Sequence, residues 1–207
     1  MIIKAIYIGN KEEAYINDDF QEGLNIISSD DNNKGKTIVI QSIMYCLGNM
    51  PGFPASFPVD KYYYILHIEV SGKLIKICRK GKNYIVNNGM EYFVFDTTAE
   101  FKRYWNKNID RLPLITVNNI KRLVDPELLI QIFFVGQDVK TTSDIVNKGL
   151  YHKEDFYNLI FAMANIDATI DAEKDIDKVK KTIRNLENEK KRLLKVNKIL
   201  KQNDNVL

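Results

Sequence analysis

Residues 23–48 read GLNIISSDDNNKGKTIVIQSIMYCLG, and this stretch decides the fold. Its first apolar residues predict a strand over 24–27, and the polar residues that follow predict a loop. From Thr37 to Leu47 apolar residues recur at helical spacing, so a helix is predicted there. A strand, a loop and a helix in this order, with Gly-Lys-Thr at the junction, predict a phosphate-binding loop.

Each part of such a loop has a physical task. Backbone N–H groups at the positive end of the helix surround phosphate oxygens, Lys36 reaches the outer phosphates, and the Thr37 hydroxyl binds Mg²⁺. The residues predicted to bind a nucleotide in this way are Asn32, Asn33, Lys34, Gly35, Lys36, Thr37 and Ile38. The sequence departs from the pattern G-x-x-x-x-G-K-[ST] at Asp30, where the pattern has glycine. Asp30 can adopt the backbone conformation of the turn, but it brings a negative charge toward the phosphates. The alternative is that Gly-Lys-Thr begins an ordinary helix.

The run DDNNKGKTIVIQSIMYCLG resembles the pattern G-x-N-G-x-G-K-[ST]-x-x-x-x-A-I-x-x-x-L-G of the SMC-like ABC ATPases, the group of SMC proteins, RecN, RecF and SbcC. The matching positions are Asn32, Gly35, Lys36, Thr37, Ile43, Leu47 and Gly48, whereas Asp30 and Asn33 replace glycines. The resemblance implies an α/β fold, with the N-terminal lobe of a P-loop ABC-type ATPase head, an antiparallel β-lobe, and the root of an antiparallel coiled coil. It implies ATP and Mg²⁺ as cofactors.

The resemblance also implies a catalytic residue. ABC heads carry a glutamine after a strand, where it reaches the Mg²⁺ and the attacking water, and Gln137 resembles it. Gln137 follows the apolar run 128–135, for which a strand is predicted, and residues 118–124 form a basic, helix-like bridge before that run.

Two further strands are predicted nearer the start of the chain, over 2–8 and 14–16. After the helix, the Pro- and Phe-rich residues 48–54 predict an exposed insertion or partner surface, against the alternative of a simple connector. Residues 62–70 and 73–79 flank Ser71-Gly72 and predict a β-hairpin, followed by strands over 84–86 and 92–95. Arg79 resembles an arginine that SMC-like heads carry beside the adenine, and its alternative role is a solvent-exposed cation at the end of a strand.

Three helical segments are predicted after this sheet. Asp96-Thr97-Thr98 predicts a helix cap, with Ala99, Phe101 and Trp105 facing inward. A further helix begins at Lys153. A heptad repeat then follows, and seven of its ten seam residues are apolar. One position contains Thr169, Ile176, Ile183, Lys190 and Asn197, and its partner position contains Ala172, Val179, Leu186, Leu193 and Leu200. This pattern predicts a coiled-coil strand, against the alternative of a solvated single helix.

The coiled-coil segment is basic. Residues 171–201 contain eleven Lys or Arg and six Asp or Glu, and residues 190–201 contain no acid. Non-specific contacts with the phosphates of double-stranded DNA are therefore predicted at Lys191, Arg192, Lys195 and Lys198, against the alternative of a solvated helix face.

Composition sets the remaining limits. The chain has 207 residues, 45% of them hydrophobic, which suffices for a head domain over residues 1–165 and a coiled-coil arm root over 166–207. The two cysteines are too few for a disulfide framework, and no apolar run is long enough to cross a membrane. A cytoplasmic protein that does not bind membranes is expected.

The sequence contains no S-G-G signature motif. The resemblance therefore implies that the chain corresponds to the N-terminal half of a head, either cut from a longer protein or encoded separately. Its implied partners are the C-terminal half of the same head, a second head in a dimer, double-stranded DNA, and an accessory or effector subunit. ATP hydrolysis is expected only in that completed assembly, which would serve chromosome maintenance, DNA break repair or antiviral (phage) defence.

Two other functions stay open at this point. One is a degenerate P-loop module that binds without hydrolysis and has a structural or assembly role, which Asp30 favours. The other is a P-loop kinase or GTPase with an unrelated tail, which the predicted β-lobe and coiled coil disfavour.

Overall fold

The computed structural model describes residues 1–31, 35–117, 120–133, 153–164 and 169–203. The strands are β1 (Ile2–Gly9), β2 (Ala14–Asn17), β3 (Tyr63–Val70), β4 (Lys73–Lys80), β5 (Asn83–Asn87), β6 (Tyr92–Phe95), β7 (Leu114–Val117) and β8 (Ile120–Leu123). The helices are α1 (Lys36–Cys46), α2 (Thr98–Asn108), α3 (Pro126–Phe133), α4 (Lys153–Met163) and α5 (Thr169–Asn203), with a 3₁₀ turn at Val59–Lys61.

The first six strands form one antiparallel sheet in the order β2-β1-β3-β4-β5-β6. The predicted hairpin is confirmed, because Val70 pairs with Lys73 across Ser71-Gly72. Both turn residues have positive φ, 51° at Ser71 and 75° at Gly72, as a tight hairpin turn requires. The strands predicted over 2–8, 14–16, 84–86 and 92–95 are confirmed as well.

Helices α1 and α2 pack on the same face of this sheet. Tyr45 of α1 meets Tyr64 of β3 at a centroid distance of 4.9 Å, and Phe101 of α2 stacks on Tyr84 of β5 at 4.3 Å. Side chains on this face are fully buried along the central strands, as at Leu66 of β3. The apolar core therefore lies between one face of the sheet and the two helices.

Helix α2 begins as the sequence predicts. The Thr97 hydroxyl accepts the backbone N–H of Glu100 at 3.2 Å, and the Glu100 carboxylate accepts the N–H of Asp96 at 3.0 Å. Phe101 and Trp105 are buried, but Ala99 is exposed, and the prediction for that residue was wrong. Tyr104 is buried instead, because its larger ring packs between Phe93 and Phe95 of β6.

Two further predictions are wrong in the segment after α2. The basic bridge is not helical, because β8 pairs with β7 as an antiparallel hairpin. The apolar run after it forms helix α3 rather than a strand. Pro126 occupies the first helical position, where its missing N–H costs nothing, and a short apolar run does not distinguish a buried strand from a buried helix. Helix α4 packs on β7, and Asn158 donates to the Thr116 carbonyl at 2.8 Å.

The predicted strand over 24–27 is not formed, since these residues pair with no strand of either sheet. Leu24 and Ile26 are 88% and 79% exposed. A strand needs a neighbour for its backbone groups, and no described strand lies beside this segment.

Helix α5 spans 35 residues and includes the predicted heptad segment. Its described seam residues are about half exposed: Ile176, Val179, Ile183, Leu186 and Leu193. The helix is confirmed, while its pairing into a coiled coil stays a prediction. None of the described helices is long and apolar enough to cross a membrane.

Candidate nucleotide-binding site

The N-terminus of α1 has no side-chain cap. Gly35 precedes the helix with φ 80°, a left-handed conformation that favours glycine, and no acidic residue lies in the first turn. The first helical hydrogen bond runs from the Val39 N–H to the Gly35 carbonyl at 3.1 Å. Among the described residues no side chain caps this end by a hydrogen bond, so the N–H groups at the positive end of the helix dipole are suited to an anion.

The Lys36 side chain folds back over the loop that precedes α1. Its ammonium donates to the Ser29 hydroxyl at 2.7 Å and to the Asp31 carbonyl at 2.9 Å. The Ser29 hydroxyl in turn donates to the same carbonyl at 2.7 Å. The two bonds of Lys36, supported by the bond between Ser29 and Asp31, hold the ammonium over the loop that precedes the helix.

Thr37 and Ile38 follow in the first turn of α1, and both are half-buried. Asn32, Asn33, Lys34 and the proposed catalytic Gln137 lie outside the described residues. In the part of the chain that the structure describes, no group of three or more His, Cys, Asp or Glu side chains could hold a metal ion. The role of the Thr37 hydroxyl as a Mg²⁺ ligand stays a prediction from the motif.

A cleft of about 230 Å³ opens beside Gly35. Its lining is mostly apolar and aromatic: Ile8, Glu13, Ala14, Tyr15, Gly35, Ile38, Val39, Phe57 and Tyr62. The Tyr62 hydroxyl donates to the Glu13 carboxylate, and this hydrogen bond raises the pKa of Tyr62. An apolar slot with aromatic walls next to a positive helix end has the chemistry of a site for a base and its phosphates.

The cleft qualifies the prediction for residues 48–54. Gly52 and Pro54 are exposed as predicted, but Phe53 packs edge-on against Tyr45 at 5.8 Å and Phe57, just beyond, stacks on Tyr62 at 5.1 Å, so the phenylalanines anchor the segment. The signal was present in the sequence as two phenylalanines four residues apart beside the aromatic run at Tyr62. What could not be deduced was the fold of the loop that places Phe57 in the wall.

Arg79 is 2% exposed, so its interpretation as a solvent-exposed cation was wrong. Its guanidinium donates to the carbonyls of Tyr45, of Asn49 at 2.7 Å and of Gly81 at 3.0 Å. It also lies 3.7 Å from the centroid of the Tyr45 ring. Arg79 therefore satisfies carbonyls at and beyond the C-terminus of α1, where a cation also complements the helix dipole.

These contacts place Arg79 at the opposite end of α1 from Lys36, roughly 15 Å away along the helix axis. Glycine is required nearby: Gly48 has φ 95°, and an added Cβ would lie 3.1 Å from the Cβ of Pro126. Arg79 and Gly48 thus fix how α1 ends and how α3 approaches it. A contact between Arg79 and an adenine stays a prediction without support in this geometry.

The basic residues predicted to contact DNA lie on α5. Lys191, Arg192 and Lys195 are exposed, while the side chain of Lys198 is outside the described set. Lys191, Lys195 and Lys198 are spaced four and three residues apart, which places them on one face of a helix. The structure shows no more than this exposed basic face.

Comparison with known proteins gives one distant similarity. The chain is 24% identical over 147 residues to the Lamassu protein LmuB of Bacillus cereus (strain VD014). The match covers 70% of this chain and 26% of the length of LmuB. No family model matches the chain. The similarity supports a distant link to SMC-like proteins.

Proposed function

We propose that this chain is the nucleotide-binding part of an SMC-like protein of phage defence, and that it binds ATP with Mg²⁺ at the N-terminus of α1. The observation that carries the proposal is the position of the Lys36 ammonium, held by Ser29 and Asp31 beside an uncapped helix end. The distant similarity to the Lamassu protein LmuB supports the biological context.

In this proposal the residues at the start of α1 have separate roles. The N–H groups at the start of α1 and the Lys36 ammonium bind the phosphates, and the Thr37 hydroxyl binds Mg²⁺. The loop residues Asn32, Asn33 and Lys34 complete the phosphate site, and Gln137 orients the attacking water.

The cleft beside Gly35 would hold the base. The stacked pair Phe57 and Tyr62 supplies an aromatic wall, and Ile8 and Val39 supply an apolar floor. At about 230 Å³ the cleft is smaller than the roughly 300–1,000 Å³ of complete ligand pockets, so it suits part of a nucleotide. The phosphates would then extend past Gly35 to Lys36.

Hydrolysis would require more than this chain. The proposed partners are the C-terminal half of the head, with the signature motif and general base, a second head, double-stranded DNA, and an accessory or effector subunit. Positioning of phosphates by Lys36 and Thr37 without a base leaves most of the barrier in place. We therefore propose that the isolated chain binds ATP but does not turn it over.

A second candidate function is a non-hydrolysing module with a structural or assembly role. Asp30 favours it, because this exposed carboxylate occupies the position at which the loop pattern has glycine. Its charge would weaken binding of a triphosphate.

Calorimetric titration of the purified chain with ATP and MgCl₂ tests the proposal. We expect saturable binding that Lys36→Ala abolishes and that Lys107→Ala, at an exposed site in the last turn of α2, leaves unchanged. Circular dichroism of both variants checks that they fold. Equal affinities of the wild type and Lys36→Ala would refute the nucleotide site, while binding that persists without hydrolysis in the complete assembly would favour the structural module.

A further inference from the structure

The six-stranded sheet has a second face, opposite α1 and α2. Its strand registers place residues of neighbouring strands in rows across this face. One row contains Ala5, His67, Lys76, Asn87 and Tyr92, and the next contains Ile16, Tyr7, Ile65, Cys78, Ile85 and Val94. Several of these side chains are open to solvent, with Tyr92 75% and Val94 68% exposed. We call this surface the outer face.

Tyr63 and Lys80 lie at one margin of the outer face. The Lys80 ammonium is 4.0 Å from the centroid of the Tyr63 ring, and Tyr63 is 50% exposed. On the neighbouring strand Tyr63 pairs with Gly9, which in turn pairs with Ala14. Gly9 itself has no side chain that could cover the Tyr63 ring, and an added Cβ there would lie 3.2 Å from that of Ala14.

A pair of rings lies nearer the centre of the outer face. The rings of Tyr7 and His67 lie 4.9 Å apart at 53° to one another, and Lys76 pairs with His67 on the next strand. Burial and the Lys76 charge lower the pKa of His67, so its ring is neutral at pH 7. His67 therefore offers a flat uncharged ring, and the positive charge beside it comes from Lys76.

The charged residues on the strands of the outer face are mostly lysines. Lys76 and Lys80 point to this side, and the single carboxylate in the paired rows, Glu69, forms an ion pair with Lys4 at 3.0 Å. Flat rings alternating with lysines are the combination that binds single-stranded nucleic acid on a sheet, where bases stack on rings and lysines contact phosphates. A protein partner would use the aliphatic members, but it gives no reason for the net positive charge.

From this arrangement we propose that the outer face binds single-stranded nucleic acid, with bases stacked on Tyr63, His67 and Tyr92 and phosphates at Lys76 and Lys80. The proposal goes beyond the nucleotide site, which lies on the other side of the sheet, and beyond duplex binding by α5. Stacking accepts every base, so binding would depend little on sequence and strongly on salt.

Fluorescence anisotropy of the purified chain with labelled oligothymidylate and oligouridylate, without ATP, tests the proposal. We expect Tyr63→Ala and Tyr92→Ala each to weaken binding at least about five-fold, with no change in the salt slope. Tyr157→Ala, at an exposed tyrosine of α4, is the matched control. The two oligonucleotides distinguish DNA from RNA as the preferred strand.

Lysine variants separate charge from stacking. Lys76→Gln and Lys80→Gln should each reduce the slope of log affinity against log salt by about 0.7, whereas Lys107→Gln should leave it unchanged. All measurements are repeated in a variant in which Lys191, Arg192, Lys195 and Lys198 of α5 are changed to Glu, so that binding by that helix does not mask binding by the outer face. Failure of the tyrosine variants to weaken binding there would overturn the proposal, and it would leave the ATP site untouched.

Discussion

The ammonium of Lys36 lies 2.7 Å from the hydroxyl of Ser29, seven residues earlier in the chain. This bond, with that to the Asp31 carbonyl, holds the lysine over the loop. In the proposed site a phosphate would replace both oxygens with charged ones, which form shorter and stronger hydrogen bonds with an ammonium. Asp30 directly precedes Asp31 in this loop, so its negative charge is the feature of the loop that we expect to oppose phosphate binding.

Asp30→Gly should tighten ATP binding. The substitution removes a like charge near the phosphates and restores the backbone freedom of the loop pattern. In water such a charge pair at about 4 Å is worth roughly 1 kcal/mol, so we expect about a five-fold gain, measured by calorimetric titration with ATP and MgCl₂.

Asp30→Asn is the control for this prediction, because it removes the charge and keeps the shape. An equal gain in both variants would assign the effect to charge, and a gain in glycine alone would assign it to the backbone. Weaker binding after Asp30→Gly would contradict the prediction and give Asp30 a positive role in the site.

Arg79→Ala should strongly destabilise the fold. The substitution leaves the buried carbonyls of Tyr45 and Asn49 without their charged donor and opens a cavity between two tyrosine rings. We expect the free energy of unfolding in urea to fall by at least about 3 kcal/mol. Arg79→Lys keeps the charge but loses the planar fork, so it should be intermediate.

Lys82→Ala changes an exposed cation three residues from Arg79 and should shift the unfolding free energy by less than about 0.5 kcal/mol. If Arg79→Ala cost no more than this control, the carbonyls would have to be satisfied by water, and the importance of Arg79 for the end of α1 would be lost.

The sequence was sufficient where the deciding interactions are local. The hairpin between β3 and β4 follows from Ser71-Gly72 and the alternation on both sides, and the start of α2 follows from Thr97 and Glu100. Helix α1 follows from the helical spacing of its apolar residues, and its start follows from Gly35, which separates the helix from the loop.

The sequence was insufficient where distant partners decide. The segment at Leu24 has the composition of a strand, but the structure describes no neighbour that pairs with it. The run after Pro126 is apolar enough for a strand or a helix, and its packing against Gly48 is not visible in local pattern.

The candidate site divides in the same way. Lys36 and Thr37 were predictable from the motif, whereas the cleft wall at Phe57 and Tyr62 depends on how residues 49–57 fold back onto the sheet. The burial of Arg79 likewise depends on the carbonyls of Tyr45 and Asn49, which lie 34 and 30 residues earlier in the chain. Motifs identify groups that carry chemistry, and tertiary packing decides what surrounds them.

Charge reversal on α5 should weaken binding of duplex DNA and flatten its salt dependence. The four substitutions are Lys191→Glu, Arg192→Glu, Lys195→Glu and Lys198→Glu. Each phosphate contact contributes about 0.9 to the slope of log affinity against log salt, so the loss should approach the number of lost contacts. Affinity measured over a salt series with labelled duplex DNA provides the slope.

The control for the DNA prediction reverses four exposed lysines elsewhere, which matches the change in net charge. These substitutions are Lys11→Glu, Lys61→Glu, Lys82→Glu and Lys107→Glu. A slope that falls equally in both variants would show that net charge, rather than the α5 face, governs binding.

The seam of α5 should make the isolated chain self-associate. Ile183, Leu186 and Leu193 are 51%, 59% and 59% exposed, and a row of exposed leucines and isoleucines along a helix favours association with another helix that covers it. Leu186→Lys combined with Leu193→Lys should shift the chain toward a monomer, as measured by sedimentation across a concentration series. Asn185→Lys combined with Asn188→Lys adds the same two charges off the seam and should leave the self-association unchanged. A wild-type chain that stays monomeric at all concentrations would contradict the prediction and favour a solvated single helix.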